Sequence, residues 1–146
     1  MLLVELSGAN AGAAANGLYI TAGGTTVRGF AINRFGNDGI LLGQAGGNTI
    51  GGNFVGTTVD GSAAGGNLGG VRVGDISSGS SDNTIGGTTP AARNVISGNR
   101  AGFDVVIYAA SSGNVVAGNF IGTDASGSAL LPGGGRLRGE DRRFLR

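Results

Sequence analysis

The sequence predicts an all-β solenoid, and three observations carry that prediction. The first is recurrence. Residues 113–123 read GNVVAGNFIGT, and elements of this stretch return upstream as NTIGGNFVGT at 48–57, NTIGG at 83–87 and NVISGN at 94–99. Each copy holds an Asn, an aliphatic residue two positions later, and then usually Gly and Asn again. Self-similarity at such a period marks a repeat architecture. The second is composition: of 146 residues 33 are Gly, yet 40% are hydrophobic and only 13% charged. That apolar content argues against a disordered Gly-rich chain, and Gly does not fall at every third position as in collagen. The third is segment length. The apolar stretches between glycines are too short for helices, and none has a helical period. Stacked coils of three short strands, a parallel β-helix of about four to five coils, satisfy all three.

The elements follow in order. The opening LLVEL is a short strand within residues 1–7, followed by a small-residue loop at 8–16. Four similar corners come next: Gly17-Leu-Tyr-Ile, Gly39-Ile-Leu-Leu, Gly70-Val-Arg-Val and Gly102-Phe-Asp-Val, spaced 22, 31 and 32 residues apart. Side chains alternate along a strand, so the first and third residues after each Gly point inward. This gives Leu18, Ile20, Ile40, Leu42, Val71, Val73, Phe103 and Val105. The second strand of each coil turns Val27, Ile50, Ile85 and Val116 inward, and the third turns Ile32, Val55, Ile96 and Ile121. The loop GTTVDGSAAGGN at 56–67 is echoed 66 residues later by GTDASGSALLPG at 122–133. The third coil carries its insertion earlier, TTPAAR at 88–93, which implies a two-coil repeat with loops at alternating corners.

Repeats therefore occupy residues 1–135, and 136–146 form a basic, irregular C-terminal tail or weak cap. The segment after Pro132, GGGRLRGEDRRFLR, shows neither strand alternation nor a further Gly-aliphatic corner. As a helix it would line up Leu137, Phe144 and Leu145 as a cap. A start inside an apolar strand and a broken last coil are expected of a fragment of a longer array, whose neighbouring coils would be partners.

Several functions are excluded by what the chain lacks. It has no Cys, hence no disulfide or thiol chemistry, and no His, the commonest metal ligand and neutral-pH acid/base. Net charge is +1, but residues 1–135 carry five Arg against seven acids, so the body is slightly acidic and only the tail basic. No nucleic-acid partner is expected of it. No segment approaches the ~18 apolar residues of a membrane span, so no membrane insertion is expected. The opening lacks basic residues before its short apolar part and does not read as a signal peptide. No GK[ST] follows the Gly-rich stretches, which excludes a phosphate loop.

NTIGGTTPAARNVISGN at 83–99 together with GNVVAGNFIGTDASGSALLP at 113–132 resembles the right-handed parallel β-helix repeat proteins of the pectin-lyase-like group, over roughly residues 17–132. The resemblance implies a right-handed coil and a bacterial, extracellular or cell-surface protein. It also implies polysaccharide as the partner class, held along the outer face of one sheet. The group includes lyases, glycoside hydrolases and adhesins. The expected function is a non-catalytic structural or polysaccharide-binding module. The alternative is part or remnant of a polysaccharide lyase or glycoside hydrolase.

The outward residues of the first sheet, Tyr19, Leu41, Arg72 and Asp104, form the candidate binding stripe. Arg72 and Asp104 fall on adjacent coils as an exposed ion pair worth about 0–1 kcal/mol. No catalytic residue is expected. Glycoside hydrolysis takes two carboxylates flanking one bond, and the positions matching Asp104 hold none. Asp38, Asp60, Asp82 and Asp124 sit in turn sequences. No cofactor is expected either. Calcium, which lyases of this group hold with clustered acids, would need ligands in register, and Asp60 aligns with Ser126 while Asp124 aligns with Thr58. Thr-Thr pairs at 25, 57 and 88 occupy different corners and make no single plane. The corner asparagines, Asn48, Asn83 and Asn114 with Asn53, Asn99 and Asn119, are expected to stack as structural ladders.

Overall fold

The computed structural model describes residues 3–133 and 137–139. Among them fourteen strands follow one another: β1 (Val4–Ser7), β2 (Leu18–Ile20), β3 (Thr26–Val27), β4 (Phe30–Asn33), β5 (Ile40–Leu42), β6 (Thr49–Ile50), β7 (Phe54–Val55), β8 (Val71–Val73), β9 (Thr84–Gly86), β10 (Val95–Ile96), β11 (Val105–Ile107), β12 (Val115–Ala117), β13 (Phe120–Ile121) and β14 (Leu137–Gly139). The described residues contain no α-helix, only a 3-10 turn at Pro90–Ala92 within the TTPAAR insertion.

Strands sort into three sheets, β2-β5-β8-β11-β14, β3-β6-β9-β12 and β1-β4-β7-β10-β13. Every strand pair is parallel and joins a strand to the one three places later in the chain. That pattern is a parallel β-helix: four complete three-strand coils, with β1 and β14 beside the outer two. Strands of two to four residues suffice because each coil is stapled to its neighbours by inter-coil hydrogen bonds, about 4.8 Å away.

The core is a set of aliphatic columns along the axis. Ile40 and Val71 are in register, as are Leu42 and Val73, Ile50 and Ile85, and Val55 and Ile96. All eight have no solvent exposure. At roughly 1.5–3 kcal/mol per fully buried aliphatic side chain, these columns are the main stabilising term. Leu18, Ile20 and Ile121, towards the outer coils, are only partly buried.

The fourth coil departs from expectation. Val105 pairs with Val71 and Ile107 with Val73, so the inward pair is Val105 and Ile107, not Phe103 and Val105. Asp104 takes the corner position that Gly17, Gly39 and Gly70 hold in the other coils. The cause is a two-residue bulge. Arg100 and Ala101 donate backbone hydrogen bonds to the Asn67 and Leu68 carbonyls, as the expected register requires. Gly102 then turns at φ 80°, and the Asp104 carbonyl accepts from Val71 N. Phe103 is thereby half-buried outside the core, its ring against Gly69, whose missing side chain leaves the space. A branched aliphatic enters each column in its place.

Of the predicted tail only residues 137–139 are described. Leu137–Gly139 is extended rather than helical and pairs in parallel with β11. Phe144, Leu145 and the rest of the predicted tail lie outside the described residues.

Candidate functional site

The corner asparagines form ladders along the axis, each amide bonding to the next coil. In the first ladder Asn48 N and Nδ2 donate to Asn83 Oδ1 at 3.0 and 2.8 Å, and Asn83 donates likewise to Asn114 Oδ1 at the same distances. In the second, Asn53 donates to Asn94 Oδ1 and Asn94 to Asn119 Oδ1. Asn99 belongs to a third corner, where Asn67 Nδ2 donates to its Oδ1 at 3.2 Å. The six predicted asparagines thus divide among three ladders, and Asn67 and Asn94 complete them. Asn94 opens the NVISGN copy, which was the signal for it.

With the corners fixed, the outer face of the β2-β5-β8-β11 sheet is a regular grid. Tyr19, Leu41, Arg72 and Val106 are consecutive partners across the four strands. Arg138 takes the next register position, in β14. Tyr19 is 54% exposed. Its ring lies across Gly43 of the next coil, where a Cβ would sit 2.9 Å from Cε2. Tyr108, one residue beyond β11, brings its ring to 5.9 Å from the Arg72 guanidinium carbon. Beside it Asp75, Ile76, Ala109 and Ala110 complete a groove of about 300 Å³.

Asp104 is not part of this stripe. The bulge that shifts the register buries it completely, and Asn99 Nδ2 donates to its Oδ1 at 2.7 Å. Arg72 instead pairs with Asp38, Nε to Oδ2 at 2.8 Å, and Nη2 donates to Oδ1 at 3.3 Å. Asp38 is not the simple turn residue its NDG context suggests. Its side chain is fully buried. Burial raises its pKa above 3.8, and the nearby guanidinium offsets this only in part.

The turn acids are engaged locally. Asp60 accepts from Thr58 Oγ1 and from Ser62 N and Oγ, Asp75 from Ser77 and Ser78, and Asp124 from Ser126 and Ser128. Hydrogen bonds, chiefly from Thr58, Ser77 and Ser126 hydroxyls respectively, lower all three pKa values, that of Asp75 to about 2. Among the described residues no three acids converge to hold a metal ion.

A second groove lies on the β3-β6-β9 sheet. Thr26, Thr49 and Thr84 are consecutive partners one residue before the inward aliphatic of each strand, a column that a search for Thr-Thr pairs passes over. Beside it Arg28, Gly51 and Gly86 lie two residues further along each strand. The TTPAAR insertion folds back over this row: Gly52 N donates to the Ala92 carbonyl at 3.2 Å. The space enclosed is about 210 Å³, lined by Thr26, Arg28, Thr49, Gly51, Gly86, Thr89, Ala91 and Ala92.

The described residues contain no helix long and apolar enough to cross a membrane. Comparison of the chain with protein-family models, with curated proteins and with solved structures finds no match in any of the three, so its functional reading rests on these two faces.

Proposed function

We propose that the chain is a non-catalytic, polysaccharide-binding β-helix module of a bacterial extracellular or surface protein, of the pectin-lyase-like kind, and that it holds its ligand along the β2-β5-β8-β11 face. The observation that carries this reading is the exposed Tyr19 ring beside bare Gly43, with Leu41, Arg72 and Val106 following at strand spacing. An aromatic ring presents a broad apolar face and a hydroxyl, which suits the apolar face and hydroxyl rim of a sugar ring. Tyr108 offers a second ring at the far side of Arg72.

A non-catalytic role is supported by how five of the described acids are used. Asp38 is buried against Arg72, Asp104 is buried against Asn99, and Asp60, Asp75 and Asp124 stabilise their own turns. A lyase or hydrolase needs a carboxylate free to meet substrate. The test is calorimetry against a panel of polysaccharides, with product release followed in the same samples, with and without calcium. Binding without product is expected, weakened about fivefold by Tyr19→Ala, in line with the ~1 kcal/mol of one aromatic contact. Product release would move the reading to the enzyme alternative, and no binding by any glycan would leave a purely architectural module.

A further inference from the structure

We propose that the groove under the TTPAAR insertion is a second ligand site, independent of the tyrosine face, and that it takes a small oxyanion-bearing ligand, a carboxylate or a phosphate. On the outer face of β3, β6 and β9 the side chains form a grid: Thr26, Thr49 and Thr84 in one row, Arg28, Gly51 and Gly86 in the other. Rows lie two residues apart along the strand and neighbours in a row one strand spacing apart, roughly 7 and 5 Å. The Gly51 cell is therefore empty of side chain, while Arg28 and Thr49 border it. The Ala92 backbone closes over it at contact distance, its carbonyl oxygen 3.2 Å from where a Gly51 Cβ would stand, and the groove's open space is bordered by Thr26, Thr49, Arg28 and Ala91.

The bordering groups are donors with capacity to spare. Arg28 has no carboxylate partner among the described residues. Its one hydrogen bond, Nη2 to the Ala91 carbonyl, is a long 3.5 Å. The contact anchors the guanidinium at the rim and leaves most of its five N–H groups for a ligand. Thr26 and Thr49 are exposed at the groove, and their hydroxyls take part in no hydrogen bond within the described residues. No acid among the described residues lines the groove. A guanidinium with two hydroxyls at strand spacing, over a floor without side chains, matches a planar or tetrahedral oxyanion. The volume admits an anion of monosaccharide size.

Calorimetric titration with inorganic phosphate, with galacturonate and with neutral galactose tests the assignment. Saturable binding of at least one anion is expected, at least tenfold tighter than galactose and weakening as salt is raised. Arg28→Gln, a change at an exposed side chain, is expected to weaken that binding about tenfold, the scale of one lost charge-assisted contact. Gly51→Ala fills the floor at a position without positive φ and is expected to weaken it as well. In the phosphate titration Tyr19→Ala leaves the binding unchanged, which separates this site from the saccharide face. Absence of saturable anion binding, equal affinity for galactose, or anion binding indifferent to Arg28→Gln would each overturn the proposal.

Discussion

Asn83 illustrates how much one side chain carries here. Its Oδ1 accepts two hydrogen bonds from Asn48, and its Nδ2 donates to Asn114 Oδ1 and to Ser80 Oγ, all without solvent. Asn83→Ala strands the Asn48 donors in the interior, where water cannot replace the lost acceptor, and is expected to cost about 1–3 kcal/mol. Asn119→Ala, at a partly exposed ladder end, should cost less, because water reaches the Asn94 groups it leaves behind. Denaturant midpoints of the two variants give the comparison, and equal losses would argue that ladder burial is not what matters. Asp75 has its folded pKa depressed to about 2 from 3.8 by the Ser77 and Ser78 hydrogen bonds. Its contribution to stability is therefore present above pH 3.8 and lost as pH falls towards 2. Asp75→Asn should flatten the acid limb of the unfolding-midpoint profile in that window and leave the slope above pH 5 unaltered.

Elements show where a sequence reading of such a chain succeeds and where it stops. Inward positions of the second and third sheets were legible because in the second to fourth coils an Asn and a Gly bracket each short strand, and a period of two leaves one choice of face. Asp104 was misplaced for a local reason. Gly102-Phe-Asp-Val imitates the other corners, and nothing in the sequence announces that Gly102 opens a bulge instead of closing a corner. The Arg72–Asp38 pair was hidden by the same limitation, since it links a strand to a corner one coil away. Two glycines separate the costs involved. At Gly102 a side chain would meet no atom within 4 Å, so Gly102→Ala carries only the left-handed backbone cost, about 1 kcal/mol. At Gly46 φ is not positive, but an added Cβ would overlap the Ser81 carbonyl oxygen of the next coil. Gly46→Ala must push two coils apart and is expected to cost about 3 kcal/mol. Thermal midpoints that ranked the two variants the other way would show that coil spacing yields more readily than a backbone turn.

At the scale of the whole molecule, stability is a sum over neighbouring coils, as in other repeat proteins. Strands β5 to β10, in the two middle coils, have a coil on each side, whereas β2 and β3 begin their sheets and β12 ends its own. The same asymmetry appears in the core, where the middle columns are fully buried and Leu18 and Ile20 are not. One feature works against independent coils. The loops after β7 and β13 meet across the intervening coil, with Ala125 N donating to the Gly61 carbonyl at 2.9 Å, so the second and fourth coils are joined directly. Native-state hydrogen exchange resolves the balance. Amides of β5 to β10 are expected to exchange slowest and at one common rate, those of β2 and β3 faster, because the first coil opens without disturbing the rest. The joined loops should hold β13 closer to the middle coils than to β2. Equal protection of β2 and β8 would mean that the solenoid opens only as a unit, and that the nearest-neighbour description fails for a rod this short.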